Sequence, residues 1–397
     1  MSLQRARLAL LSGNFAIGCG VMVAAGSLND LVGSLQVSVA LAGQLVSVAA
    51  AAMAVGAPVL AMLLGRMDRR TLLTAALVWY AVGHALSALM PNFAALLPVR
   101  TLCMLGAAVF TPQAAAAINV LAPPGERGRA MAFIFLGWAV ASVVGMPLHA
   151  WIAEAMGWRW AFALVALLSA AAALGVWRAV PAGVRPPPLS MRGWGQVFSS
   201  PLMMGLVAIT VLSAAGQFTL FTYLTPYFRQ GLGASAGQLG LLFLWFGIFG
   251  LLGNLALARW IDQVGPARCV NVGLTLITTT LLAWNWAATP TLVALVLVPW
   301  ALGLFSSNSA QQARLSGIDP AFTPALLALN TSAMYTGQAI GAASGGAILS
   351  AGGYAQLSWT ALAFVLVALT LSLVLGRHMR QQSRRQEPHT PNARSHD

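Results

Sequence analysis

The fold class that this sequence predicts is an all-α polytopic membrane protein, with twelve transmembrane helices in two six-helix pseudo-repeats. Three observations carry that expectation. The chain is 59% hydrophobic and only 7% charged. Its apolar runs recur at lengths that cross a bilayer. The arginines between those runs fall on alternate connections.

Soluble domains carry about 25% charged residues, and 7% is too little to cover a water-exposed surface. Lipid is therefore the expected solvent. A spanning helix takes ~20 apolar residues, so 397 residues accommodate about twelve spans with short connections. The net charge of +13 does not imply nucleic acid, because the 21 basic residues are all arginine and sit between hydrophobic runs. Cys19, Cys103 and Cys269 lie within or at the edge of apolar stretches. They have neither metal-ligand spacing nor a disulfide framework, and read as small packing residues.

The spans of the first half are expected at 8–28, 39–63, 71–90, 95–121, 130–153 and 159–180. Arg5 and Arg7 precede the first run, as in a signal peptide, but the many hydrophobic segments that follow make it a first span. A polar, proline-rich stretch from Pro181 to Ser200, containing Pro186, Pro187 and Pro188, reads as a cytoplasmic linker. The second half is expected at 201–227, 236–258, 269–288, 291–313, 325–350 and 354–376, followed by a polar tail from Arg377 to Asp397. The domain plan is thus 1–180, linker 181–200, 201–376 and tail 377–397.

With a cytoplasmic N-terminus, the inner side receives Arg5, Arg7, Arg66, Arg69, Arg70, Arg127, Arg129, Arg178, Arg185, Arg192, Arg259, Arg268, Arg314, Arg377, Arg380, Arg384, Arg385 and Arg394, 18 of the 21. The outer loops receive Arg159 and Arg229, and Arg100 falls inside the fourth span. Arginine excess on one side orients a polytopic chain. One missed helix would scramble the alternation downstream, so the count supports both twelve spans and two cytoplasmic termini.

The halves also repeat. Gly56 through Arg70 closes the second span with a charged turn, and Gly253 through Arg268 does the same 197 residues later. Gly137, Ala141 and Gly145 recur every four residues in the fifth span, as Gly337, Gly341 and Gly345 do in the eleventh. Two such halves on a linker are one arrangement of secondary transporters.

The turn after the second span resembles the signature loop of the Major Facilitator Superfamily, which reads Gly, a few apolar residues, Asp-Arg, one residue, then Gly and two basic residues. Arg66, Arg69 and Arg70 match the basic positions, while Gly65 stands where Asp is usual and Asp68 where Gly is usual. The second copy keeps Asp262 and Gly265, with Gln263 in place of Arg, and ends on Arg268. Arg100 resembles the buried arginine of drug/proton antiporters, although Met104 replaces the glycine expected four residues on. Gly145-Met146-Pro147 resembles the Gly-x-Pro element of exporters, and the stretch Gly157-Trp158-Arg159-Trp160-Ala161-Phe162 is similar to these proteins too. The likeness covers essentially the whole chain. Its nearest branch resembles the bacterial sugar-efflux and drug-efflux permeases.

Each candidate site has a plainer reading beside the functional one. Arg66, Asp68, Arg69 and Arg70, with Asp262, Gly265 and Arg268, either anchor topology by charge or form a gate that pairs with helix ends in one state. Gly137, Gly145, Pro147, Gly337, Gly341 and Gly345 either let helices pack closely or seal the path between halves, with Pro147 supplying a bend. Gln217, Phe221, Asn308, Tyr335 and Gln338, with Ser306 and Ser307, either make interhelical hydrogen bonds or line a midplane cavity suited to a neutral or lipophilic solute. Asp30 and Arg100 are expected to approach each other near the outer boundary as a proton-coupling pair, with Glu154 as the reserve carboxylate. The alternative is a solvated Asp30 and a snorkelling Arg100. His84 and His149 are isolated and suggest neither metal nor catalysis.

The sequence lacks metalloprotease, nucleotide-binding and nucleophile-elbow motifs. No cofactor, metal or catalytic residue is expected, and transport driven by ATP through this chain is not. The expectation is secondary active transport: proton-coupled efflux of a drug, sugar or metabolite by a monomer in the bacterial inner membrane. Its partners would be a small-molecule substrate, protons and the lipid bilayer. An uptake symporter or uniporter of the same fold is the alternative. A membrane enzyme would need ionisable groups clustered at one depth, and a sensor an added soluble domain beyond the roughly twenty-residue tail.

Overall fold

The computed structural model describes residues 3–123, 127–185, 191–319, 322–351 and 353–386, and they are helical almost throughout. The first half holds α1 (Leu3–Gly26), α2 (Val39–Leu64), α3 (Arg69–Leu89), α4 (Phe93–Leu121), α5 (Arg127–Met156) and α6 (Trp158–Ala179). The second holds α7 (Pro201–Phe221), α8 (Ala236–Val264), α9 (Pro266–Ala283), α10 (Pro290–Ser316), α11 (Thr323–Ala351) and α12 (Ala355–Gln386). Eleven of these are long and apolar enough to cross a membrane. The twelfth, α11, has 29 residues but is diluted by Gly, Ser and Thr, because it packs closely on neighbouring helices. Since the number of crossings is even, α1 starts and α12 finishes at the same end of the molecule, here the terminal end; the opposite one is the far end.

Helix starts follow local polar chemistry. Ser38, Asp68, Asn92, Ser200 and Thr289 each accept a backbone N–H of the first turn of α2, α3, α4, α7 and α10. Ser235 and Gln238 form a reciprocal capping box at α8. These bonds satisfy amides that a helix leaves open at its start.

Three features depart from the expected spans. The first span breaks at Ser27, and a short helix, Leu28–Leu35, turns away carrying Asp30. The seventh stops at Phe221 instead of running on to 227, then continues through a short helical turn and a π-helical turn, Tyr227–Gly231. The linker contains a helix, Met191–Phe198, that packs against α7 and α11; Pro186, Pro187 and Pro188 lie outside the described residues.

The two halves pack alike. In each, the first helix lies along the fifth, α1 on α5 and α7 on α11, and the third along the sixth, α3 on α6 and α9 on α12. The glycine stripes belong to these seams, so the expectation that they seal the boundary between halves is corrected. A Cβ on Gly137 would collide with the α1 backbone, 2.8 Å from the Phe15 nitrogen and closer still to the Leu11 carbonyl. Gly337, Gly341 and Gly345 abut the α7 carbonyls of Val211, Ala215 and Thr219 in the same way. Gly145 is looser, its Cβ position standing 3.7 Å from Cys19 Sγ.

The boundary between halves is made by α2 against α11 and α5 against α8. Val143 of α5 meets Gly247 of α8. Pro147, four residues on from Val143, supplies no N–H for the Val143 carbonyl, so α5 lacks one internal bond at its contact with the other half.

Candidate transport site

A small groove of mixed lining lies in the second half between α7, α9, α10 and α11, its apolar walls formed by Ile209, Val270, Leu274, Leu304 and Met334. Its polar lining is Thr210, Ser213, Gln217, Ser307, Asn308 and Gln311, all uncharged. Gln217 is fixed by three bonds: its amide donates to the Ser213 carbonyl (3.2 Å) and hydroxyl (3.0 Å), and its oxygen accepts from Trp300 Nε1 at 3.2 Å. Gln311 donates to the Leu206 carbonyl at 2.7 Å, which leaves its Oε1 buried without a hydrogen-bond partner; Asn308 Oδ1 is in the same position. A buried acceptor without a donor costs on the order of 1–3 kcal/mol, and this groove carries two of them. Phe221 does not line this groove; it packs in an aromatic cluster with Phe218, Phe246 and Trp300. Tyr335 and Gln338 are buried on α11.

Arg100 lies deep in the first half, 1% exposed. Its Nε donates to the Leu45 carbonyl of α2 (3.2 Å) and its Nη2 to the Gly20 carbonyl of α1 (3.0 Å), and the guanidinium stands 5.3 Å from the Phe162 ring. Nη1 is buried without a partner. A buried cation is destabilising unless compensated, and here main-chain dipoles and an aromatic face compensate it.

The structure does not bring Asp30 and Arg100 together. The break at Ser27 carries Asp30 over the start of α6, where Oδ2 accepts the Trp158 amide at 2.6 Å. A carboxylate on the open amides at a helix N-terminus is favourable in charge and hydrogen bonding. Gly157, at φ +96°, provides the turn that presents this amide. Glu154 instead bridges the halves: its Oε1 accepts from Arg229 Nη2 of the second half at 3.0 Å. Close by, Thr225 donates to the Ala25 carbonyl (2.9 Å) and Asn29 to the Thr225 carbonyl (3.2 Å). A fourth bond between halves, Ser332 to the Ala54 carbonyl at 2.6 Å, lies at mid-depth. These four hydrogen bonds between halves lie between mid-depth and the far end, which they hold together.

The first signature turn is tied to its own half. Asp68 caps α3 through Thr71 and also accepts the Gly183 amide at the start of the linker. Arg69 is buried and donates to the carbonyls of Met67 (2.8 Å) and Gly65 (3.1 Å). Arg70 stands 3.9 Å over the Trp177 ring of α6, and Arg66 is exposed. In the second copy Gly265, at φ +86°, makes the turn between α8 and α9, and Arg268 is exposed; the Asp262 side chain lies outside the described residues. Arg314, expected on the inner surface, is buried, with donors on the Ser372 hydroxyl and carbonyl.

Similarity to known proteins decides the family. The profile described as Major Facilitator Superfamily matches residues 10–321 and 206–395. The chain belongs to the Major Facilitator Superfamily. An uncharacterized MFS-type transporter of Bacillus subtilis (strain 168), YbcL, is 29% identical over 93% of this chain and 94% of its own. The inner membrane transport protein YdhP of Escherichia coli (strain K12) is 27% identical, with 98% of each chain covered. A probable sugar efflux transporter of Pasteurella multocida (strain Pm70) is 24% identical over 88% of this chain and 86% of its own. Among solved structures, a D-xylose–proton symporter superimposes with a TM-score of 0.77 at 18% identity, covering 94% of this chain and 97% of the other. This Major Facilitator member is therefore a multi-pass membrane transporter.

Several residues of the site escape sequence reasoning. Gln311 sits on the face of α10 that carries Ser307 and Asn308, and the i, i+1, i+4 spacing of three polar residues in an apolar helix is a usable signal. Phe162 is part of the aromatic stretch after Gly157, but no local pattern assigns it to Arg100. Thr225 and Ala25 are ordinary residues made important only by their meeting.

Proposed function

We propose that this Major Facilitator member is a proton-coupled exporter of a small uncharged solute. It acts as a monomer by alternating access in the bacterial inner membrane, with both termini cytoplasmic. The observation that carries the substrate reading is the groove of neutral amides and hydroxyls in which Asn308 Oδ1 and Gln311 Oε1 lack donors. A solute with hydroxyl or amide donors satisfies both, whereas an ion would find no counter-charge among the named lining residues. Export is supported by the relative named as a probable sugar efflux transporter and by the Gly145-Met146-Pro147 element. The arginine distribution supports the orientation. With cytoplasmic termini the far end is external, so the closed far-end contacts correspond to a state loaded from inside.

The test is efflux in inverted vesicles over a panel of sugars, polyols and neutral drugs, with and without a protonophore. Accumulation of at least one uncharged solute, abolished by the protonophore, is the expected result. Uptake that ignores the protonophore, or accumulation of ions alone, contradicts the proposal.

A further inference from the structure

Proton coupling needs a group inside the membrane that binds and releases a proton, and carboxylates are absent where one would be needed. The chain has eight acidic residues, Asp30, Asp68, Glu126, Glu154, Asp262, Asp319, Glu387 and Asp397, and all fall at span ends, in connections or in the tail. Those whose bonds are described near the far end are engaged, Asp30 on the Trp158 amide and Glu154 on Arg229. Of the five histidines, His84 and His149 lie well inside spans.

His149 continues the four-residue spacing of Gly137, Ala141 and Gly145 along α5, so it stands in the same α1–α5 seam. It is fully buried, and its Nε2 lies 3.0 Å from the Cys19 carbonyl of α1. A carbonyl only accepts, so Nε2 carries the hydrogen and Nδ1 holds a free lone pair. That Nδ1 is buried without a partner. His84, on α3, likewise has one engaged nitrogen and one buried without a partner: its Nδ1 meets the Tyr80 carbonyl of its own helix (2.9 Å) and Cys103 Sγ (3.1 Å), but it is His149 that stands against Gly26 of α1.

We propose that His149 Nδ1 is the proton-binding atom of this transporter, and that its protonation loosens the far-end closure. The inference rests on the proton coupling proposed above. Arg100 grips the Gly20 carbonyl, the residue next to Cys19, so an imidazolium at His149 puts a second buried cation on the same stretch of α1. The titratable groups around it are Cys19 on α1, Tyr80 and His84 on α3, Arg100 on α4 and Cys103 beside it. Towards the far end come Asp30 and the Glu154–Arg229 pair, each already engaged. None of these supplies an uncommitted negative charge. Two like charges in a low-dielectric seam repel, and admitting water by parting α1 from its neighbours relieves them. The part of α1 that yields is the part that closes the far end. Gly26 lies against His149, its Cβ position 2.9 Å from the histidine Cβ, and Ala25 accepts the Thr225 hydroxyl across the boundary. One site thereby biases a two-state closure.

Protons are the probe, so the test needs no substrate. Spin labels are placed at the exposed far-end positions Ser34→Cys and Ala288→Cys, in a Cys269→Ala background that leaves the buried Cys19 and Cys103. Their separation is measured in nanodiscs between about pH 8 and pH 5, the range over which an imidazole switches. The far-end-open population should rise as pH falls, by up to ~10-fold per pH unit for one proton. His149→Gln keeps an amide donor for Cys19 but has no lone pair to protonate, and should abolish the rise; His84→Gln should keep it. A rise that survives His149→Gln, or no rise in the labelled parent, overturns the proposal. In the full chain without other changes, nitrogen-15 spectra of histidine should show the His149 ring passing from one protonated nitrogen to two over the same range. A ring that stays neutral overturns it whatever the variants do. Protonophore-sensitive efflux with a pH-silent far end would leave export standing and remove only His149.

Discussion

Thr225 of the second half donates its hydroxyl to the Ala25 carbonyl of the first, at 2.9 Å, and no charge is involved. Beside it Asn29 bonds the Thr225 carbonyl, so one residue both gives and receives across the boundary. Replacing it with isosteric valine deletes the donated bond alone. A neutral hydrogen bond contributes about 1 kcal/mol. Thr225→Val should therefore raise the far-end-open population roughly 5-fold, measured as the separation of spin labels on cysteines at positions 34 and 288.

The Asp30 carboxylate caps α6, and that fixes how its variants should behave. Asparagine also caps well, so Asp30→Asn should keep transport close to the parent level. Asp30→Ala should cost about 1 kcal/mol of stability, seen as a lower melting temperature in detergent. Loss of proton-driven transport with unchanged melting in Asp30→Asn would restore Asp30 as a coupling group.

Arg100 joins α1, α2 and α6 through two carbonyls and one ring. A lysine cannot hold two diverging acceptors with a planar fork. Arg100→Lys should lower efflux by about tenfold or more, an effect on the order of 1.4 kcal/mol, without loss of expression. Activity equal to the parent would mean that charge alone suffices.

The two exporter-type glycines should part company. Gly137→Ala meets the α1 backbone, and overpacking of this kind costs about 1–3 kcal/mol. Gly145→Ala meets Cys19 and His149 Nε2 at ordinary van der Waals distance and gains helix propensity. The first should melt earlier and the second at or above the parent temperature, by thermal unfolding followed with a thiol-reactive dye.

Orientation rests on the arginines. Reporter fusions active only outside the cytoplasm should be silent at Asp397 and active in the 289–291 connection, and the reverse at either point would contradict the proposed topology.

Spans, their order and the internal repeat were legible in the chain because each depends on residues near one another in sequence. Twenty apolar residues form a helix in lipid whatever their neighbours, and arginine stays on one side. Signature residues such as Arg66, Arg69, Arg70, Asp262 and Gly265 marked the family for the same reason. What touches what was not legible. Asp30 and Arg100 were expected to meet, but Arg100 bonds Gly20, ten residues before Asp30 on the chain, and the break at Ser27 turns Asp30 away to α6. The Gly137 stripe promised a close contact but did not say with which helix, and the partner proved to be α1 of its own half. Arg314 counts among the inner-side arginines in the sequence, and only the fold shows that α12 brings Ser372 to it and buries it. In each case the deciding quantity is the rotation of a helix about its axis or a bend at its end. Those are set by packing against distant segments, to which hydropathy, a one-dimensional average, is blind.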